Sequence, residues 1–238
     1  MNGVYWAALG IGGSTLAGTA CGFLFSRVTE TWNDIVTAFA AGVMLAAAAF
    51  GLFAPAMDMV QGLDILLPAA GMVCGVLFLR ATGRFSGKMG RRGILHAHPE
   101  LMFVLAIILH KFPEGMAGGV GLGGMDISAA RTMVIGISLQ NLPEGIVMIP
   151  PLLNAGVGRF RTACIALATG LLNAMGVLAG ALWGRLAGCV LPFALAFAGG
   201  AMLDVIIGSM LSRSSGRNRD SLITLGGFII MACVNALC

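Results

Sequence analysis

Two short blocks hold most of the residues that could do chemistry. The first reads His-Lys-Phe-Pro-Glu-Gly from His110 to Gly115, and the second Gln-Asn-Leu-Pro-Glu-Gly from Gln140 to Gly145. They lie 30 positions apart, each inside a long apolar stretch. His110 and Glu114 are i and i+4, as are Gln140 and Glu144, so on a helix each pair shares a face. Two such helices side by side would offer an imidazole, two carboxylates and an amide oxygen. That mixed nitrogen and oxygen set suits a divalent metal of borderline hardness such as Zn²⁺, and the carboxylates would neutralise its charge. Pro113 and Pro143 each remove the backbone hydrogen bond to the carbonyl four residues earlier, Leu109 and Leu139. Carbonyls freed at membrane depth are tolerated where they face protein or line a cavity. Gly115 and Gly145 would let the helices approach closely. Polar glue between helices accounts for a lone His or Glu; it does not account for the same spacing twice.

The elements that must position these groups follow from composition. Of 238 residues, 58% are hydrophobic and only 10% charged, with a mean hydropathy of +0.94. Soluble domains carry about 25% charged residues, and disordered chains are rich in charge and poor in apolar residues, so both classes are excluded. The 36 glycines suit closely packed membrane helices. A crossing needs about 20 mostly apolar residues. Eight stretches meet that need, at roughly 4–26, 35–57, 63–81, 100–123, 128–152, 160–183, 188–211 and 220–238. Residues 1–238 therefore read as a single transmembrane domain of the all-α class, an integral membrane protein with eight transmembrane helices. The first stretch lacks a basic leader region and is expected to be a retained helix. The six cysteines are scattered without metal-like spacing and read as small packing residues.

The charges set an orientation. Of 14 Lys and Arg, 11 fall in alternate links beginning with the one after the first span: Arg27, the group Arg80 to Arg92, Arg159 and Arg161, and Arg213 to Arg219. The opposite links hold only Arg131 and Arg185, and Lys111 belongs to neither side. By the positive-inside rule both termini lie outside the cell membrane, and the long basic link between spans 3 and 4 is cytoplasmic. These basic residues read as membrane flanks, with no nucleic-acid partner expected.

On these blocks the sequence resembles the ZIP (Zrt/Irt-like) family of divalent-metal transporters, in its GufA-like branch. The branch carries an HNxPEG block on helix 4 and a Q-x-x-PEG block on helix 5. Further likeness lies in FAAGVMLAAAAFGLFAPA (Phe39–Ala56) and LAFAGGAML (Leu195–Leu203). The resemblance implies the eight-helix ZIP fold, with helices 1–3 and 6–8 as inverted repeats around helices 4 and 5. It also implies a homodimer in the lipid bilayer and an elevator movement of helices 1, 4, 5 and 6 against 2, 3, 7 and 8. The implied metal ligands are His110, Glu114, Gln140 and Glu144, with Met44 at a position that can add sulfur. The transported ion would be Zn²⁺ or another divalent metal such as Cd²⁺, Fe²⁺ or Mn²⁺, carried toward the cytoplasm without any resident cofactor.

The chain also departs from the family pattern. Relatives can hold a second metal, using the Asn after the His, an Asp or Asn after the Gln, and a helix 6 Glu. Here these positions are Lys111, Asn141 and Asn173. A protonated Lys cannot ligate, but its charge can replace an ion's. Lys111 is therefore expected to occupy the second metal's place, leaving a single-metal transport site. Asp204 replaces an acidic exit region on helix 7 and could pair across helices or line the path. His96 and His98 in the basic link form a possible loop metal site, or plain loop. Asp58 and Asp64 read as surface residues. Two other functions compete with transport. One is a metal-sensing, non-transporting relative, which would bind without flux. The other is an intramembrane metalloprotease, disfavoured because only one His lies in a span and no HExxH pair occurs. No GxxxxGK[ST] motor motif is present.

Overall fold

The computed structural model describes residues 2–25, 30–89, 99–184, 191–211 and 218–237. These form eight long helices: α1 (Asn2–Phe25), α2 (Glu30–Ala46), α3 (Leu66–Met89), α4 (Pro99–Gly124), α5 (Ile127–Asn154), α6 (Arg159–Gly184), α7 (Leu191–Val205) and α8 (Asn218–Leu237). α2 continues through a π-helical stretch (Ala47–Phe53) into a last α-helical turn (Ala54–Asp58), and α7 through a second π-helical stretch (Ile206–Met210). Among the described residues, seven helical stretches are long and apolar enough to cross a membrane by length and composition. Only Met125 and Asp126 join α4 to α5. The Asp126 carboxylate starts α5 by accepting from the backbone N–H of Ser128 (2.8 Å) and Ala129 (3.1 Å), satisfying donors that a helix start leaves over.

The most extensive packing joins α4 with α6, α1 with α5, α3 with α7, and α2 with α8. Exchanging α1 with α6, α2 with α7, α3 with α8 and α4 with α5 turns this set of pairs into itself. The close approaches obey the same exchange residue by residue. Gly18 of α1 lies on the Leu142 carbonyl of α5, and Gly176 of α6 lies on the Phe112 carbonyl of α4. Gly42 of α2 lies on the Thr224 carbonyl of α8, and Gly200 of α7 on the Met72 carbonyl of α3. Gly12 and Gly170 sit on each other's carbonyls, where α1 meets α6. The numbering offset is 158 for α1 to α6 and α2 to α7, 152 for α3 to α8, and 30 for α4 to α5. Even the π-helical stretches correspond, since Ala47–Phe53 shifted by 158 falls over Ile206–Met210. The repeat therefore extends well beyond the two six-residue blocks.

This packing also bears on α4. Each closest pair joins helices of the same parity, and register advances together along both, as Gly71 on Phe193 and Gly75 on Phe197 show for α3 and α7. Paired helices are thus parallel. A chain that reverses at every link requires same-parity helices to run the same way, so α4 crosses beside α6 despite its polar residues. Backbone contact at the glycines is what such packing needs, because apolar side chains gain little by leaving lipid for one another.

Candidate metal site

Both six-residue blocks lie inside their helices, and α4 and α5 bring them together. His110, Lys111, Glu114, Gln140, Asn141 and Glu144 are all 1% exposed or less. Among the described residues, His110, Glu114 and Glu144 form a group whose ligand atoms all lie within 4.8 Å of one another. His110 Nε2 stands 3.6 Å from Glu144 Oε1 and 3.8 Å from Glu114 Oε2. Tetrahedral zinc with bonds near 2.1 Å sets its ligand atoms about 3.4 Å apart. The observed spacings are a few tenths of an ångström wider, within side-chain adjustment.

Gln140 completes this side of the cluster. Its Nε2 donates to Glu114 Oε1, and its Oε1 accepts no hydrogen bond from any described residue. A buried amide oxygen in that condition is costly unless something else uses it, and the chemistry of this donor set points to a cation. Gln140 Nε2 also lies 3.9 Å from Met202 Sδ.

Lys111 takes the other side. Its ammonium donates to Glu114 Oε2 (2.8 Å) and to Asn141 Oδ1, and it forms an ion pair with Glu144 Oε2. Asn141 is held in turn by α1, where its Nδ2 donates to the Ile11 carbonyl at 3.0 Å. Glu144 thus turns Oε1 to His110 and Oε2 to Lys111, whereas Glu114 turns Oε2 to both and Oε1 to Gln140. With two carboxylates, one ammonium and a neutral imidazole, the cluster has a formal net charge of −1.

The other sequence candidates fall as follows. Asn173 of α6 is buried against Gly115, whose added Cβ would stand 2.6 Å from Asn173 Oδ1, and neither of its amide atoms bonds a described residue. Met44 is buried in the apolar core. Its equivalent under the 158 offset is Met202, which sequence reasoning missed as a site residue. The signal was present in the match of Phe39–Leu45 to Phe197–Leu203. Asp204 pairs with Arg80 of α3 at 2.7 Å, away from the metal cluster. His96 and His98 lie outside the described residues. Asp58 and Asp64 are exposed, and Cys21, Cys74, Cys164 and Cys233 are free thiols.

A cleft lies at the end of the bundle that carries the α4–α5 link. It opens between Phe50, Pro55, Asp126 and Thr132. A narrower cavity shares its Gly51, Met133 and Asn235 and continues to Gln140. The π-helical stretch of α2 forms one wall, and Asn235 donates there to the Phe50 carbonyl at 3.4 Å. π-helical segments inside α-helices occur frequently at functional sites.

With this geometry in view, comparison with known proteins decides the family. A family model described as ZIP Zinc transporter matches residues 87–235. Zinc transporter GufA of Myxococcus xanthus is 34% identical over 93% of this chain and 95% of its own length. The chain belongs to the ZIP family of zinc transporters. Zinc transporter ZIPB of Bordetella bronchiseptica is 32% identical over 96% of this chain and 80% of its own length. Human zinc transporter ZIP11 is 27% identical, covering 92% of each chain. Family membership accords with the eight-helix inverted-repeat fold and with a multi-pass membrane protein whose substrate is a divalent metal.

Proposed function

We propose that this ZIP protein carries a divalent metal, zinc foremost, toward the cytoplasm, one ion per transport site. The ligands are His110 Nε2, one oxygen each from Glu114 and Glu144, and Gln140 Oε1. Met44 and Met202 flank them, and the cleft past Asn235 and Met133 is the approach from outside. The supporting observation is the wholly buried group of one imidazole and two carboxylates, with ligand atoms within 4.8 Å of one another. Ionisable groups at membrane depth are costly and are kept where an ion path needs them.

Lys111 supports the single-ion reading through charge. One divalent ion brings the cluster from −1 to +1; a second would bring it to +3, a heavy burden inside a bilayer. Asn141 then neighbours the ammonium, and Asn173 packs against Gly115, instead of ligating a second metal. The excess of Lys and Arg on one set of links supports both termini outside and entry from that side. A homodimer, an elevator movement and a loop metal site at His96 and His98 belong to the same reading by family resemblance.

Uptake of radiolabelled zinc into proteoliposomes tests it. Saturable uptake that disappears in Glu144→Gln and His110→Ala is expected. Zinc binding by the wild type with no flux would overturn transport in favour of a sensor.

A further inference from the structure

Lys111 has a role that metal binding alone does not require. Its side chain is fully buried. Its ammonium donates to Glu114 Oε2 and Asn141 Oδ1 and forms an ion pair with Glu144 Oε2, so three oxygens surround it. The Asn141 amide is itself tied to the Ile11 carbonyl, so α1, α4 and α5 together build the cradle. A Lys near a helix end can reach water along the membrane surface. Lys111 lies midway along α4 (Pro99–Gly124) and its ammonium is buried among these oxygens. Its charge is therefore seated with the carboxylates of the unloaded cluster.

A carrier must reorient twice in each cycle, once loaded and once unloaded. Two carboxylates without a cation oppose the unloaded step, because exposed charge at membrane depth is expensive. A carrier with carboxylates alone needs some returning cation to offset them. Here one positive charge is covalently attached and already seated between both carboxylates.

We propose that Lys111 is a tethered counter-cation that lets the unloaded carrier reset without a returning ion. The inference rests on the transport reading above. It makes the protein a uniporter, in which net metal uptake and metal–metal exchange run at comparable rates.

The test compares two fluxes in the same proteoliposomes: radiolabelled zinc entering metal-free vesicles, and entering vesicles preloaded with unlabelled zinc. For the wild type, the two rates should agree within about threefold. Lys111→Met should lower the ratio of net uptake to exchange by about tenfold or more, since its reset exposes uncompensated carboxylates. Lys111→Arg keeps the charge and should keep the ratio. A wild-type exchange rate far above net uptake overturns the proposal whether or not any variant folds. So does a Lys111→Met protein that binds zinc and keeps the wild-type ratio, or loses both fluxes equally, which would make Lys111 a positioning residue only. A wild type with neither flux overturns the transport reading itself, and this one with it.

Discussion

Replacing Gly145 by alanine should weaken metal binding although the residue itself holds no ligand. Gly145 follows Glu144 in α5 and faces α1. A Cβ there would stand 2.5 Å from the Thr15 carbonyl oxygen, 2.7 Å from Thr19 N and 2.9 Å from Gly18 C. All three are backbone atoms, so no side chain can swing away. Real Cβ contacts essentially never fall under 3.0 Å. To clear the new methyl, α1 and α5 must part by roughly 0.5–0.9 Å, an overpacking that costs about 1–3 kcal/mol. Metal ligands tolerate displacements of about 0.2 Å. Moving α5 shifts Glu144 and Gln140 relative to α4, and it stretches the Asn141 bond to Ile11. Disturbing the support of a metal site lowers affinity by about 10- to 100-fold. Zinc competition against a fluorescent chelator, in detergent, reads the affinity, and thermal unfolding reads the stability. Gly13→Ala is the control, because a Cβ at that exposed α1 position meets nothing within 4 Å. A Gly145→Ala protein that melts like the wild type and binds zinc within about twofold of it would refute the argument from backbone contact.

Asp204→Asn removes the pair with Arg80, whose side chain is 61% exposed. A pair open to solvent contributes under about 1 kcal/mol, so the melting temperature should shift by a few degrees at most. Zinc uptake should remain near wild type, and its loss would place Asp204 on the ion path. Met202→Leu together with Met44→Leu removes the two sulfurs related by the repeat. Soft ligands favour soft metals, so cadmium affinity should fall more than zinc affinity in competition binding; equal changes would exclude a sulfur contribution. Asn235→Ala should slow zinc entry more than it changes equilibrium binding, because Asn235 lines the approach without touching the ligands. A change in binding alone would count against the cleft as the route.

The helices were legible because membrane crossing imposes length and hydrophobicity. The expected span at 128–152 is the observed Ile127–Asn154, and that at 160–183 is Arg159–Gly184. The His110 and Gln140 faces were legible from the i, i+4 spacing, and Lys111 beside Glu114 from i, i+3. Asn141 as an acceptor for Lys111 was anticipated only as a neighbour, since its orientation depends on Ile11, 130 residues away. The partner of Asp204 was illegible for the same reason: Arg80 lies 124 residues earlier and meets it only through the packing of α3 on α7. The full repeat was hidden in α1 and α6. Their correspondence rests on glycines meeting backbone carbonyls, which leaves little side-chain signature. Between α2 and α7 it leaves a readable one, Phe-Ala-Ala-Gly-Val-Met-Leu against Phe-Ala-Gly-Gly-Ala-Met-Leu.

The central claim is that one metal, not two, sits between His110, Glu114, Gln140 and Glu144, with Lys111 in the place of the other. Anomalous diffraction at the zinc edge, from crystals grown with excess zinc, tests it most directly. The account predicts one membrane-embedded peak per protomer, within bonding distance of His110 Nε2 and both carboxylates, with the Lys111 ammonium on the far side of Glu114 and Glu144. Two peaks between α4 and α5, or a single peak that leaves His110 uncoordinated, would contradict it.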